Sequence, residues 1–140
     1  MADYTVTAAD VQQTASAQVV GATAGATITA GQAVYKDSTD SNKIKLADCE
    51  VDPAYECVGI ALNGASDGQP IDYVVRDIGF TPGFSGAIGD IVILSGTAGG
   101  LCPSTDLLAA DFAVIIGVFT TTTTINMQCN TYGRATTVKA

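Results

Sequence analysis

The chain reads as an all-β protein: a small antiparallel β-sandwich or partly closed barrel made from two pseudo-repeated halves, with an N-terminal arm. Three observations carry that expectation. Short aliphatic runs rich in β-branched residues alternate with glycine, Asn and Asp turn signals, the pattern of many short strands. Helix signals are confined to stretches too short to be stable alone. Finally, phrases recur at one spacing. Gly31-Gln-Ala-Val-Tyr35 is echoed by Gly89-Asp-Ile-Val-Ile93, and Val58-Gly59-Ile60 by Ile116-Gly117-Val118, each 58 residues further on. Repetition of this kind signals architecture, and two copies suit a pseudo-symmetric core.

Residues 1–24 lie outside the repeat. They are small and polar, with Tyr4, Val6, Val11, Val19 and Val20 scattered among them. They read equally as a frayed terminus or as an arm that orders on a partner with those five residues as anchors. Within them, residues 8–20 can form one or two helical turns capped by Thr7. The β domain is expected over 25–140, with half-units of about 25–79 and 80–140. Its strands are expected at 27–28, 32–35, 44–46, 58–62, 71–75, 90–94, 113–119, 124–129 and 136–139, with a short helical turn at 106–111. Asn63-Gly64 and Asp67-Gly68 mark turns. Gly31 and Gly89 open strands at tight turns. Gly59 and Gly117 stand between apolar neighbours, where a bulge or a close backbone approach is expected, so their role is geometric.

Composition narrows the partners. Hydrophobic residues make up 47% and charged residues 14% of the chain, against roughly 25% charged in an average globular protein. The net charge is −8. Lys36, Lys43 and Lys45 form the only basic cluster, with acids around it, so neither nucleic acid nor an anionic membrane is expected as a partner. The longest strongly apolar run, residues 112–119, falls well short of the roughly 20 that a membrane-spanning helix needs. The first residues lack the charge and apolar stretch of a signal peptide, so synthesis in a cytoplasm is expected. Cys49, Cys57, Cys102 and Cys129 show no Cys-x-x-Cys spacing. They read as reduced, buried thiols, with Cys49 and Cys57 near enough in sequence to bridge.

Catalytic constellations are sparse. The chain has no histidine, which removes Ser-His-Asp and Cys-His sites and the commonest general base. No phosphate-cradling glycine motif is present. The two glutamates, Glu50 and Glu56, share an acidic loop with Asp48 and Asp52 and read as a solvated face. Asp37-x-Thr39-x-Ser41 faintly opens like a calcium loop, yet Asn42 replaces the glycine such a loop requires, so a polar turn is expected. The five threonines from Thr120 to Thr124 read as a polar turn entering a strand. Phe80-Thr-Pro-Gly-Phe84 places two aromatics around a turn. They read either as an exposed interface tip or as a turn folded back over the barrel end. No enzyme activity, cofactor or metal is expected.

Several phrases together resemble those of a known family. They are Ala24-Gly-Ala-Thr-Ile-Thr-Ala-Gly-Gln-Ala-Val-Tyr35, Val58-Gly-Ile-Ala-Leu-Asn63, Asp67-Gly-Gln-Pro70, Ser95-Gly-Thr-Ala-Gly-Gly-Leu101 and Ile116-Gly-Val118. The chain resembles, over residues 20 to about 130, the capsid decoration proteins of tailed bacteriophages, also called cement or head-stabilising proteins. The resemblance implies a small β-rich virion protein, commonly a homotrimer. Such a protein binds the major capsid protein on the outside of an icosahedral shell and holds capsomers together. It transfers no catalytic residues. The alternative is a head-fibre or tail-spike-like module binding host-surface glycan, for which Phe80, Phe84 and Tyr132 are the candidate contacts.

Overall fold

A computed structural model describes residues 3–108 and 111–134, with side chains through 129. The strands are β1 (Gln18–Thr23), β2 (Ala33–Asp37), β3 (Lys43–Leu46), β4 (Cys57–Ala61), β5 (Pro70–Phe80), β6 (Ile91–Leu94), β7 (Leu101–Pro103), β8 (Phe112–Phe119) and β9 (Ile125–Arg134). They form one antiparallel sheet in the order β3-β2-β4-β5-β9-β8-β6-β7, with β1 added to β5. The sheet curls into a half-barrel. Of the two expected architectures this is the partly closed barrel.

The repeat is visible in the topology. From the outer edge inward the first half runs β3-β2-β4-β5 and the second β7-β6-β8-β9. The registers match residue for residue. Ala33 pairs with Ile60 and Val34 with Gly59, then the ladder slips and Tyr35 pairs with Cys57. In the second half Ile91 pairs with Val118 and Val92 with Gly117, the ladder slips, and Ile93 pairs with Ile115. Both glycines sit at the slip because a neighbouring backbone crosses close by. A Cβ on Gly59 would run into the Val74 carbonyl, and one on Gly117 would lie 2.7 Å from the Asn126 carbonyl. The strand-opening glycines also correspond: Gly31 has φ +91° and Gly89 φ +93°, a region costly for residues with a Cβ. Their N–H groups donate to equivalent carbonyls, Ala61 and Phe119, both at 2.8 Å.

Alternating side chains build the core. Phe112, Val114 and Ile116 of β8 and Ile125 and Met127 of β9 join Ile60, Val74 and Phe80 in a cluster shared by both halves. In the first half the opposite face is buried too. Val34, Ile44, Ala61, Ile71 and Tyr73 pack there under Ala24, Ile28 and Ala65. The cover is the segment between β1 and β2, fastened where Ile28 and Ala65 exchange backbone hydrogen bonds of 2.8 and 2.9 Å.

Several local expectations are corrected. Residues 18–23 form a strand, and helix in this region is limited to a single 3-10 turn, Ala8–Asp10, whose Thr7 cap makes no side-chain bond. Residues 27–28 make one bridge and no strand. The second helical turn lies at Ser104–Asp106, and β7 had no counterpart among the expected strands. The expected strand at 136–139 lies outside the described residues. The threonine run does form a polar turn, with Thr121 and Thr124 hydroxyls 2.7 Å apart.

Candidate interaction surface

Residues 3–17 run across the domain and are fastened at both halves. The Asp3 carboxylate accepts from the Ser95 hydroxyl at 2.6 Å, and the Tyr4 N–H donates to the Leu101 carbonyl at 2.8 Å. The Tyr4 ring stacks on Phe84, with centroids 4.2 Å apart and planes 10° apart, and meets Phe119 edge-on. The Thr7 N–H donates to Gly83, and Gln12 exchanges backbone hydrogen bonds with Thr81. Val6 and Val11 fill the space left by missing side chains at Gly31 and Gly83. At the far end Asp77, 1% exposed, accepts from the Thr14 N–H at 2.7 Å and from the Thr14 and Ser16 hydroxyls. Burial pushes the Asp77 carboxyl up. These donors, with the Gly79 N–H, outweigh it and hold the group below the usual carboxylate range.

The structure therefore separates the seven residues expected at an interface. Tyr4, Val6 and Val11 turn onto their own chain. Phe80 is fully buried, because β5 continues to its position and pairs it with Ile125, facing the shared core. Phe84 is half-buried beneath Tyr4. The aromatics thus fold back over the barrel end, and the exposed-tip reading is corrected. Val19 and Val20 stay outside, 41% and 40% exposed.

Those two valines sit on β1, which is unusual among the described strands. Its side chains at Gln18, Val19 and Val20 are all exposed. Successive residues of a strand point to opposite faces, so Val19 and Val20 leave apolar surface accessible on both faces of β1, while Ala22 further along packs against the second cluster. Among the described residues β1 pairs only with β5. An edge strand of this kind presents unpaired N–H and C=O groups that can template pairing with another chain. Ile78 of β5, 60% exposed, adds apolar surface.

A second feature is an acidic cleft of about 290 Å³. Asp3, Glu50, Asp106 and Asp111 line it together with Cys49 and Cys102. Two of these carboxylates serve local structure. Asp3 accepts from Ser95, and Asp111 accepts from the Leu108 N–H at 3.1 Å. Both Asp106 oxygens are buried without a hydrogen-bond partner among the described residues. Burial, reinforced by nearby carboxylates, pushes both thiols up to about 12. At neutral pH they are protonated and are poor nucleophiles.

The cysteines are free thiols, in keeping with the reduced reading, and the contact between two of them is not the one that the spacing suggested. Cys57 does not reach toward Cys49. Its sulfur lies 3.2 Å from that of Cys129, and all four thiols are free. Tyr132 lies in β9, and its side chain is outside the described ones. No helix among the described residues is long and apolar enough to cross a membrane. In comparison with known proteins, the chain matches no protein-family model and no curated protein.

Proposed function

We propose that this chain is a structural virion protein that binds the outer surface of an icosahedral bacteriophage capsid. There it cements neighbouring capsomers as a homotrimer and performs no catalysis. The reading rests on the resemblance across residues 20 to 130. The observation that supports it most directly is β1, an edge strand that exposes Val19 and Val20 and is carried by a well-fastened N-terminal segment. Such a strand suits pairing with a second chain, where backbone hydrogen bonds supply affinity and alternate side chains supply specificity. Many copies attached at once then reinforce a shell without any single tight contact. The acidic balance keeps an abundant free protein soluble before assembly.

The glycan-binding alternative has less support. It relied on exposed aromatics, and Phe80 and Phe84 face inward. An activity in the acidic cleft would have to use its carboxylates, since its two thiols are held protonated and are poor nucleophiles.

The test is co-sedimentation with undecorated shells. Binding near one copy per capsid subunit is expected. A V19D/V20D double variant should keep its strand signal in circular dichroism and lose at least tenfold in affinity. Point variants serve better than truncation, because removing residues 3–17 also uncovers Phe84 and Phe119. A double variant that decorates shells like the wild type would remove β1 from the contact. A wild-type protein that ignores shells and binds a glycan array would overturn the cement reading.

A further inference from the structure

We propose that Cys57 and Cys129 are a disulfide-forming pair, closed by exchange with a small-molecule disulfide of the oxidised-glutathione class. The two residues are 72 positions apart and belong to different half-units, on β4 and β9. The fold nevertheless sets their sulfurs 3.2 Å apart. A relative shift of about 1 Å, within reach of side-chain rotation, brings them to bonding distance. No other pair of thiols among the described residues is in hydrogen-bond contact.

The surroundings give the pair an entrance and a direction. A surface cleft of about 380 Å³ opens beside them, lined by Gln18, Tyr73, Arg76 and Gln128 as well as both cysteines. Among the described residues Arg76 is the one charged residue on its wall, and it complements the carboxylates of glutathione. Cys129 is half-buried where Cys57 is buried, and we assign it the first attack as the more exposed residue of the two. Cys57 is the more buried of the two and lies within hydrogen-bond reach of the Gly59 carbonyl at 3.5 Å, which suits it as the resolving thiol. The contact with Cys57, and then burial, raise the Cys129 thiol well above its ordinary value, so at neutral pH it attacks slowly, through a small thiolate fraction.

The chemistry balances with one equivalent of oxidant. The Cys129 thiolate attacks one sulfur of the glutathione disulfide, whose S–S bond breaks, and one glutathione thiolate leaves. The Cys57 thiolate then attacks the Cys129 sulfur of the mixed disulfide and expels the second glutathione. Two protein thiols are oxidised, one glutathione disulfide is reduced to two thiols, and both protons end on the released glutathiones. The product joins β4 to β9 across the junction of the half-units. Neither a capsid nor any other partner is needed.

The experiment uses the full wild-type chain, incubated with oxidised glutathione at several pH values, alkylated and mapped without reduction. The expected product is a Cys57–Cys129 cross-linked peptide, with the intact mass lower by two hydrogen atoms and no glutathione retained. Its rate should rise about tenfold per pH unit from pH 7 to 9, because the thiolate attacks. A Cys57→Ser variant should instead trap one glutathione on Cys129. Three results would overturn the proposal: a persistent glutathione adduct on the wild type, a cross-link that uses Cys49 or Cys102, or four unmodified thiols in the folded protein.

Discussion

At the scale of single residues, Asp37 shows a site that looks open in sequence and is filled in structure. The turn after β2 begins like a cation-binding loop. Its carboxylate is occupied by the Lys45 ammonium at 2.8 Å, the Thr39 N–H at 2.9 Å and the Thr39 hydroxyl at 2.6 Å, and Asp40 holds the same lysine at 3.1 Å. Ser41 and Asn42 complete the turn with positive φ. The Lys45 hydrogen bond, helped by Thr39, lowers the Asp37 carboxyl from 3.8 to about 2. A depressed folded-state value means that the stabilisation is fully present above about pH 4 and is lost as pH falls through 2. Acid melting should show this. Wild type should lose more melting temperature between pH 5 and pH 2.5 than Asp37→Asn does, and equal losses would contradict the assignment. The polar turn was legible because Ser, Asp and Asn favour such turns. Its ion pair was not, since Lys45 reaches Asp37 only once β2 and β3 are paired.

At the scale of elements, the glycines of the two bulges carry the repeat. Gly59 and Gly117 take ordinary backbone angles, so an alanine there meets only a steric obstacle, the carbonyl of the next strand. Gly89 is the reverse case: no atom lies within 4 Å of an added Cβ, but φ is +93°. Overpacking a close strand contact costs about 1–3 kcal/mol, and forcing a positive φ on alanine costs roughly 1–2 kcal/mol. Gly59→Ala and Gly117→Ala should therefore both lower the denaturant midpoint. Gly89→Ala should do so by backbone strain alone, with Gly89→Asn milder because Asn tolerates this region. If Gly117→Ala were neutral, the bulge would not depend on the close approach. The same elements show what the sequence made legible. β7 follows from β3 by applying the 58-residue spacing, although Leu101-Cys102-Pro103 is too short to read alone. Its proline is tolerated because, among the described residues, β7 pairs only with β6, at the sheet edge. β1 had no such signal. With Gln18, Val19 and Val20 exposed in succession, it lacks the alternation that marks a half-buried strand, and its pairing with β5 is set by residues some fifty positions away.

At the scale of the whole molecule, the two halves meet about a pseudo-two-fold axis. Arg76 pairs with Gln128 across the β5–β9 junction. The two stand 52 positions apart, the same separation as Val74 from Asn126 and Tyr73 from Ile125, which occupy matching places against β4 and β8. Each is therefore the counterpart of the other, and the axis passes between them. Neither half closes its own core: Ile60, Val74 and Phe80 of the first complete a cluster with Val92, Ile116 and Met127 of the second. Cut apart, each fragment would expose half of that cluster along with a long strand edge. Fragment 88–140 also falls below the about 80 residues under which a single core seldom supplies more than ~3–5 kcal/mol even when complete. Fragments 1–87 and 88–140 should accordingly each lack dispersed amide resonances, and mixing them should restore the native spectrum. The strongest challenge comes from the second cluster, since Ile28, Ile44 and Ile71 belong wholly to the first half. If fragment 1–87 gave a native-like spectrum alone, that cluster would be sufficient. The shared core would then be an interface between two domains and not the centre of one.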